Sequence, residues 1–505
     1  MRAALLKSLS DSRSAWLAAV ALFTLAALWP IWSDRFLAMQ DYPLHLLQTQ
    51  MIQFRNDPAF DYSRNFELVL SAGPYMTFYA LTLAFGLLFP IEVAGKLSVS
   101  VYVLLVAGLV LAISRYRRTD FPSWGLLVFF PLIFNQQFFL GNVNFLYSMP
   151  LLLLALLDLE RAHKGPWSAV RMLGWQLSLF FTHPFTFLLY VAMGAFLLLW
   201  DMRLKSRPAA HWRLVLLTAA GCLQACWLLF ERQASQAEGA IAAAPKWVPL
   251  KSSLNYLGFM FNSGGFSRLA VIPWLAVLAV VALALWQERK SRARHSLRYL
   301  WLAAACALAV FVFPFRLYDY TFINLRMAAL AYFFVALFLG GVRFSPVAVA
   351  VLVLSLAWCM FGLIAKQHRI SVEIAEVLPV VEVIPRNSTL LPLVFDRSSP
   401  EFAGTTFDPH LHDHNYYHLV VGGGFNPYLF QTHLNPVRYK PQARRPAPAQ
   451  YQPFLFRYEQ HGAPYQYYLV RGGRPADEAY FSRFSTVIKK SGRWALYRQR
   501  ASLDQ

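Results

Sequence analysis

The chain has 505 residues, of which 57% are hydrophobic and only 14% are charged, and its mean hydropathy is +0.41. This composition excludes an ordinary soluble enzyme and predicts a protein that crosses a membrane several times. The formal net charge of +20 is expected mainly in cytoplasmic loops and in contacts with anionic membrane lipids, so nucleic acid is not expected as a partner.

The N-terminal residues 1–13 include basic side chains and precede an apolar run at 15–32. No small-residue cleavage site follows the apolar core of this run, and its length suits a helix that spans the bilayer. We therefore predict a retained first helix with a cytoplasmic N-terminus.

A short polar motif at 40–45, Gln-Asp-Tyr-Pro-Leu-His, follows the first apolar run. Asp41 suits the N-cap of a short helix, and Pro43 is tolerated in its first turn. His45 lies four residues after Asp41 and shares a helix face with it. A carboxylate and an imidazole at a membrane surface can transfer protons. The alternative is a capped surface helix with an incidental histidine.

Further apolar runs follow at intervals along the chain. They lie at 74–89, 92–114, 121–139, 143–158, 167–182, 184–200, 211–230, 269–287, 299–315, 327–341 and 346–364. Basic side chains follow five of these runs, and the positive-inside rule places all five groups in the cytoplasm. A cytoplasmic N-terminus is consistent with these five cytoplasmic groups only if the short run at 74–89 does not cross the membrane. We therefore predict a polytopic α-helical membrane protein with about 11 spanning helices and a juxtamembrane or re-entrant helix at 74–89.

This topology divides the chain into two domains. Residues 1–365 are predicted to form the membrane domain, with the first external loop at 33–92, and residues 366–505 a soluble external domain. The second domain reads as mixed α/β, with predicted strands at 389–395 and 467–470. Predicted helices lie at 370–381 and 475–483, and a hairpin at 487–498 is predicted to turn at Ser491 and Gly492.

Several ionisable groups lie at the predicted external ends of the apolar runs. Arg316, Asp319 and Arg326 share one external turn, where they form either a structural Arg–Asp pair or a clamp for a phosphate. Lys96 is placed to join such a clamp or simply to extend its amine to the membrane interface. His183, before Pro184, either marks a tight turn or faces a shared cavity.

Two other polar stretches are candidates for binding. Asn142 and Asn144 belong to an amide-rich turn at 135–144, where amides either hydrogen-bond sugar hydroxyls or satisfy the turn. The stretch 406–418 contains four histidines and two aspartates, which suits either a zinc site or an exposed loop. We do not predict a metal site as the main interpretation.

The order of elements resembles that of the GT-C type membrane glycosyltransferases, which take sugars from polyprenyl-phosphate carriers. The residue that carries the resemblance is Asp41, which stands where an acidic residue in the first external loop is catalytic in that family. Arg326 is similar in position to arginines that hold the lipid phosphate. Many members carry a second acid in the next external loop, whereas residues 135–144 contain none. A divalent metal is therefore not favoured, and no cofactor is expected.

The resemblance implies a specific reaction. A sugar would move from a polyprenyl-phosphate donor to a glycan, lipid or protein acceptor on the periplasmic face of a bacterial inner membrane. Asp41 would act as the base of an inverting transfer, and His45 or His183 would orient Asp41 or the acceptor. The phosphate would bind at Arg326 and Lys96.

Three other functions remain open at this point. A transporter of lipid-linked glycans predicts ionisable groups near the bilayer centre and internal symmetry, and neither is evident in the sequence. A polymerase or ligase acting on whole glycans would share most of these features. A non-catalytic envelope assembly protein would work through its C-terminal domain and would leave Asp41 dispensable.

Overall fold

The computed structural model describes residues 10–69, 73–117, 121–161, 167–205, 209–237, 244–258, 275, 278–283, 286, 294–317, 320–403, 407–430 and 435–500. Its helices are α1 (Arg13–Ser33), α2 (Tyr42–Gln53), α3 (Tyr62–Asn65), α4 (Thr77–Gly86), α5 (Ile91–Arg117), α6 (Gln136–Leu140), α7 (Val143–Glu160), α8 (Trp167–Thr182), α9 (Pro184–Lys205), α10 (Ala209–Ala237), α11 (Leu250–Gly258), α12 (Arg294–Val312), α13 (Ile323–Leu339), α14 (Pro346–Ala375), α15 (Leu378–Val381), α16 (Tyr416–Val420) and α17 (Pro475–Phe481). Its strands are β1 (Phe66–Leu68), β2 (Arg316–Leu317), β3 (Tyr320–Thr321), β4 (Leu390–Val394), β5 (Val437–Tyr439), β6 (Tyr467–Arg471), β7 (Ser485–Ser491) and β8 (Trp494–Gln499).

Within the described residues, six helices are long and apolar enough to cross a membrane: α1, α5, α7, α9, α10 and the helix that includes α14. An α-helix rises about 1.5 Å per residue, so about 20 residues cross the hydrocarbon core. These helices also expose large apolar side chains, such as Leu22 at 66%, Leu223 at 73% and Leu354 at 70%. Extensive apolar exposure of this kind is unfavourable in water and favourable against lipid, so the chain has the character of a membrane protein.

The predicted run at 74–89 contains the ten-residue helix α4. Ten residues of α-helix extend about 15 Å, roughly half the thickness of the hydrocarbon core. The helix is therefore too short to span by itself, which agrees with the expectation from the sequence. Its position on the outer face stays a prediction.

The run at 121–139 differs from the single helix that the sequence predicted. It folds into two 3₁₀ segments, Trp124–Phe129 and Pro131–Phe134, followed by the short helix α6. Pro131 has no N–H and its ring clashes with the preceding turn, which interrupts an α-helix. Residues 123–140 are buried throughout, so other parts of the protein surround this segment, and it is not a lipid-facing helix. The run predicted at 269–287 lies mostly outside the described residues.

The C-terminal part contains a four-stranded sheet in the order β4-β6-β8-β7. β4 pairs with β6 in parallel, and the other pairs are antiparallel. β4 and β6 are buried along their whole length, which fits the apolar runs that predicted them. The predicted hairpin is β7–β8, and its turn places Gly492 at a positive φ of 51°, a conformation that glycine adopts without a steric penalty.

The first loop and the C-terminal part pack into one body. β1, from the first loop, pairs antiparallel with β5 from the C-terminal part. A shared hydrophobic cluster contains Leu44 and Leu47 of α2 together with Tyr468 of the sheet. α14 continues without a break across the predicted domain boundary at 365/366. This packing brings the C-terminal part against the polar motif at 40–45.

Candidate functional site

A polar cleft lies where the first loop, the amide-rich turn and the C-terminal part meet. Its empty volume is about 870 Å³, with its open mouth included. The lining residues are Asp41, His45, Tyr75, Tyr79, Asn142, Val143, Asn144, Phe145, His183, Tyr320, Thr321, Arg326, Phe430 and Asn435. Residues that the sequence singled out in four separate segments therefore line one cavity. Such a convergence of polar groups in a concave site is typical of a binding or active site.

Asp41 is held in the cleft by its backbone. The N–H groups of Gln40 and Asp41 donate to the carbonyl oxygens of Phe139 and Leu140, over 2.9 and 3.1 Å. Gly141 follows α6 with φ +79°, and a Cβ at this position would lie 2.7 Å from the Asp41 nitrogen. The close approach of the two segments therefore requires a glycine at 141.

The carboxylate of Asp41 does not cap α2, although Asp41 occupies the N-cap position. It accepts a hydrogen bond of 3.1 Å from Gln40 Nε2 instead. Gln40 Oε1 in turn accepts from the backbone N–H of Asp408 at 3.0 Å. Gln40 thus connects Asp41 to the C-terminal part, and the helix-cap interpretation of Asp41 does not hold.

His412 is a neighbour of Asp41 that the sequence did not identify. Its Nε2 lies 3.4 Å from Asp41 Oδ1, and Gln450 Nε2 donates to its Nδ1 at 3.3 Å. Since Nδ1 accepts, the proton of the neutral ring belongs on Nε2 and points toward the carboxylate. The histidine-rich stretch was visible in the sequence, but nothing local linked it to residue 41.

His45 is fixed by a chain of hydrogen bonds along the floor of the cleft. Tyr79 donates its hydroxyl proton to Gln48 Oε1 at 2.5 Å. His45 Nδ1 lies 2.9 Å from the same hydroxyl oxygen and serves as the donor to it. This arrangement leaves His45 Nε2 without a proton in the neutral ring. His45 is therefore an acceptor on the cleft wall.

Burial changes the protonation of this group of residues. Loss of solvation raises the pKa of Asp41 to about 7, against the opposing effect of the Gln40 hydrogen bond. The same loss of solvation lowers the pKa of His45 to about 4 and that of His412 to about 3. Both imidazoles are consequently neutral at pH 7, while Asp41 exchanges its proton near neutrality. A carboxyl group with such a pKa is suited to general acid–base chemistry.

Arg326, in the first turns of α13, supplies the positive charge of the cleft. Its guanidinium lies 5.6 Å from the centre of the Phe145 ring, and its Nε has no hydrogen-bond partner. The residue is only 8% exposed, and no carboxylate in the described part of the chain pairs with it. A buried charge without a counter-ion is costly, so the site suits an anionic ligand.

His183 and Asn144 shape the wall beside Arg326. The ring of His183 packs edge-on against Tyr75 at 4.9 Å, and its Nδ1 lacks a partner. Asn144 accepts from the N–H of Phe78 and donates to the carbonyl of Tyr75, each at 2.9 Å. Asn144 therefore holds the segment before α4 in place. Asn142 donates to Gln137 Oε1 at 2.7 Å.

The other candidate residues lie elsewhere or outside the described part. Lys96 donates to the carbonyl of Asp34 at 2.5 Å and does not line the cleft. Arg316 belongs to β2, next to the cleft residues of β3, but is not part of the lining. Asp319 lies outside the described residues. Of the basic residues that the sequence suggested for binding a phosphate, Arg326 lines the cleft, whereas Lys96 and Arg316 do not.

The histidines at 410–418 are buried, so the expectation of an exposed loop was wrong. His410 lies between Asp413, at 2.7 Å, and Glu373, at 3.0 Å. His418 contacts the carbonyl of Gly423 at 2.6 Å. Among the residues that the structure describes, no three potential ligands are placed to hold a metal ion. Packing of this stretch against α2 explains its burial.

A comparison with protein-family models, curated proteins and solved structures finds no match for this chain.

Proposed function

We propose that the protein is a membrane glycosyltransferase that moves a sugar from a polyprenyl-phosphate donor to an acceptor. The observation that carries the proposal is that two functional groups line the same cleft. One is a carboxyl group that exchanges its proton near pH 7, and the other is a buried arginine that has no counter-ion among the residues that the structure describes. The resemblance of the motif at 40–45 to the GT-C family gives further support.

In the proposed reaction the donor phosphate binds to Arg326. Asp41 accepts the proton of an acceptor hydroxyl while the acceptor oxygen bonds to the anomeric carbon. The bond between that carbon and the phosphate oxygen breaks, and the polyprenyl phosphate leaves with the bonding electrons. Attack opposite the leaving group inverts the anomeric centre. Asp41 then loses its proton to water.

The proposal includes a topology that the sequence favours. About 11 segments, one of them the buried stretch at 121–139, cross a bacterial inner membrane, the N-terminus is cytoplasmic, and residues 366–505 lie in the periplasm. The cleft then opens on the periplasmic side, where lipid-linked sugars are available and nucleotide sugars are not required. The distribution of basic residues between apolar runs supports this arrangement.

The test is sugar transfer from undecaprenyl-phosphate-linked sugars, presented one at a time to the purified protein with a lipid extract as acceptor source. Release of undecaprenyl phosphate is measured. Asp41→Asn should reduce release at least about 10²-fold, because an amide does not accept the proton. Arg326→Ala should weaken donor binding in native mass spectrometry, and Arg326→Lys should recover only part of it.

Lys96→Ala is the matched control for these variants. Lys96 is also a basic residue of this region but lies outside the cleft lining, so its loss should leave donor binding unchanged. Full release by a folded Asp41→Asn protein would overturn the proposal. Unchanged donor binding by Arg326→Ala would show that Arg326 does not bind the donor phosphate.

A further inference from the structure

A second cavity lies in the C-terminal part, away from the residues that the proposed reaction uses. Its empty volume is about 570 Å³. The lining residues are Phe425, Pro427, Tyr439, Arg444 and Arg445. We call this cavity the outer pocket. Two arginines and three apolar rings line it, without a carboxylate among them.

Arg445 lies over an aromatic ring that lines the outer pocket. Its guanidinium carbon lies 4.7 Å from the centre of the Phe425 ring, and Phe425 itself stacks on Phe66 at 6.0 Å. Nη1 donates to the carbonyl of Pro464 at 2.7 Å. A guanidinium has five N–H donors in a fixed plane, so this hydrogen bond and the ring contact fix the position of the group and use one of its nitrogens.

Arg444 adds a second positive charge beside Arg445. Within the described ranges, no carboxylate forms an ion pair with either arginine. A buried hydroxyl also lies close by, because the ring of Tyr465 is 6.4 Å from that of Phe425 and its OH has no hydrogen-bond partner. The outer pocket therefore collects positive charge and hydrogen-bond donors, and among the described residues no carboxylate neutralises its two arginines.

The outer pocket and the cleft share one stretch of chain. Phe425, Pro427 and Tyr439 line the outer pocket, whereas Phe430 and Asn435 line the cleft. Tyr439 belongs to β5, which is paired with β1 of the first loop. Two described segments of the C-terminal part, 425–430 and 435–439, therefore contribute residues to both cavities.

We propose that the outer pocket binds an acidic sugar unit of a glycan acceptor. A planar guanidinium pairs with a carboxylate or phosphate through two parallel hydrogen bonds. Pro427 is partly exposed and offers apolar surface to the C–H face of a sugar ring, whereas Phe425 and Tyr439 are buried. That this glycan is the acceptor rests on the proposed transferase function. Its binding to the outer pocket does not depend on that function.

The experiment measures binding of two oligosaccharides of equal length to the full-length protein in detergent by isothermal titration calorimetry. Hexagalacturonate, which carries carboxylates, should bind at least about tenfold more tightly than neutral maltohexaose. Arg444→Ala combined with Arg445→Ala should remove this difference. Arg444→Ala alone should weaken binding of hexagalacturonate several-fold, and because the Arg444 side chain is exposed, its removal tests the site without a risk to folding.

Two further variants separate this inference from the proposed function. Arg500→Ala removes an exposed arginine of the same domain outside the pocket lining and should bind hexagalacturonate normally. Asp41→Asn should also bind it normally, whatever its effect on transfer. Equal affinity for the two oligosaccharides would overturn the inference. Tighter binding of short-chain phosphatidylglycerol than of hexagalacturonate would also overturn it and assign the outer pocket to a lipid headgroup.

Discussion

At the scale of single residues, Asp41 differs from an ordinary helix cap in both contacts and protonation. Its carboxylate accepts from Gln40 and lies beside His412, and none of its bonds goes to the first turn of α2. Both of these contacts involve Oδ1, so Oδ2 is the oxygen that remains for a ligand in the cleft. The surroundings hold the acid in position and raise its pKa at the same time.

The raised pKa of Asp41 predicts that this residue destabilises the folded protein at alkaline pH. The folded pKa of about 7 exceeds the ordinary value of 3.8, so the folded state binds the proton more tightly than the unfolded state. Stability from this group is complete at low pH and falls as the pH rises from about 4 to about 7. Asp41→Asn should therefore raise the melting temperature more at pH 8 than at pH 5.

The difference between the two pH values should correspond to about 1–2 kcal/mol, because the side chain is 18% exposed and water screens part of the effect. Thermal unfolding in detergent at both pH values is the measurement. An equal change in melting temperature at pH 5 and pH 8 would mean that Asp41 is ionised normally in the folded protein.

His412 is predicted to act on transfer through Asp41. Its Nε2–H faces the carboxylate at 3.4 Å, and a donor in this position favours the charged form of an acid. His412→Leu retains much of the volume but removes the donor, so the acidic limb of the pH–rate profile should move to higher pH. Gln450→Leu should move it in the same direction by less. A lower rate without a change in the profile would indicate a packing role only.

At the scale of elements, the close contact between the start of α2 and the end of α6 sets the position of Asp41. Gly141→Ala would place a Cβ against the Asp41 nitrogen and force a non-glycine residue to a positive φ. We expect a loss of stability of at least about 1 kcal/mol and a marked loss of transfer. Gly108→Ala, in α5, has no atom within 4 Å of its added Cβ and should leave transfer unchanged.

The elements that the sequence predicted well are those with a strong local pattern. β4, β6 and the β7–β8 hairpin follow from short apolar runs and a glycine turn, and the long helices follow from apolar length. The segment 121–139 was predicted less well, because apolar composition alone does not separate a lipid-facing helix from a buried segment that a proline interrupts. The contact of His412 with Asp41 joins residues far apart in the sequence, and no local pattern encodes such a contact.

At the scale of the whole molecule, the site depends on the packing of the first loop against the C-terminal part. β1 and β5 form one small sheet, Gln40 bonds to Asp408, and α2 shares a hydrophobic cluster with the C-terminal sheet. These contacts require both parts to lie on the same side of the membrane. The predicted topology meets this requirement, since it places residues 33–92 and 366–505 together outside.

The last prediction concerns this topology and uses single cysteines in a chain whose native cysteines are replaced by serine. Asn56→Cys, in the first loop, and Arg115→Cys, near the end of α5, are both at exposed positions. A membrane-impermeant maleimide added to intact cells lacking an outer-membrane barrier should label Asn56→Cys and spare Arg115→Cys until the membrane is opened. Only one crossing, α5, then separates the two positions, as a non-spanning α4 requires. External labelling at both positions would mean that the segment around α4 also crosses the membrane, despite its ten-residue helix.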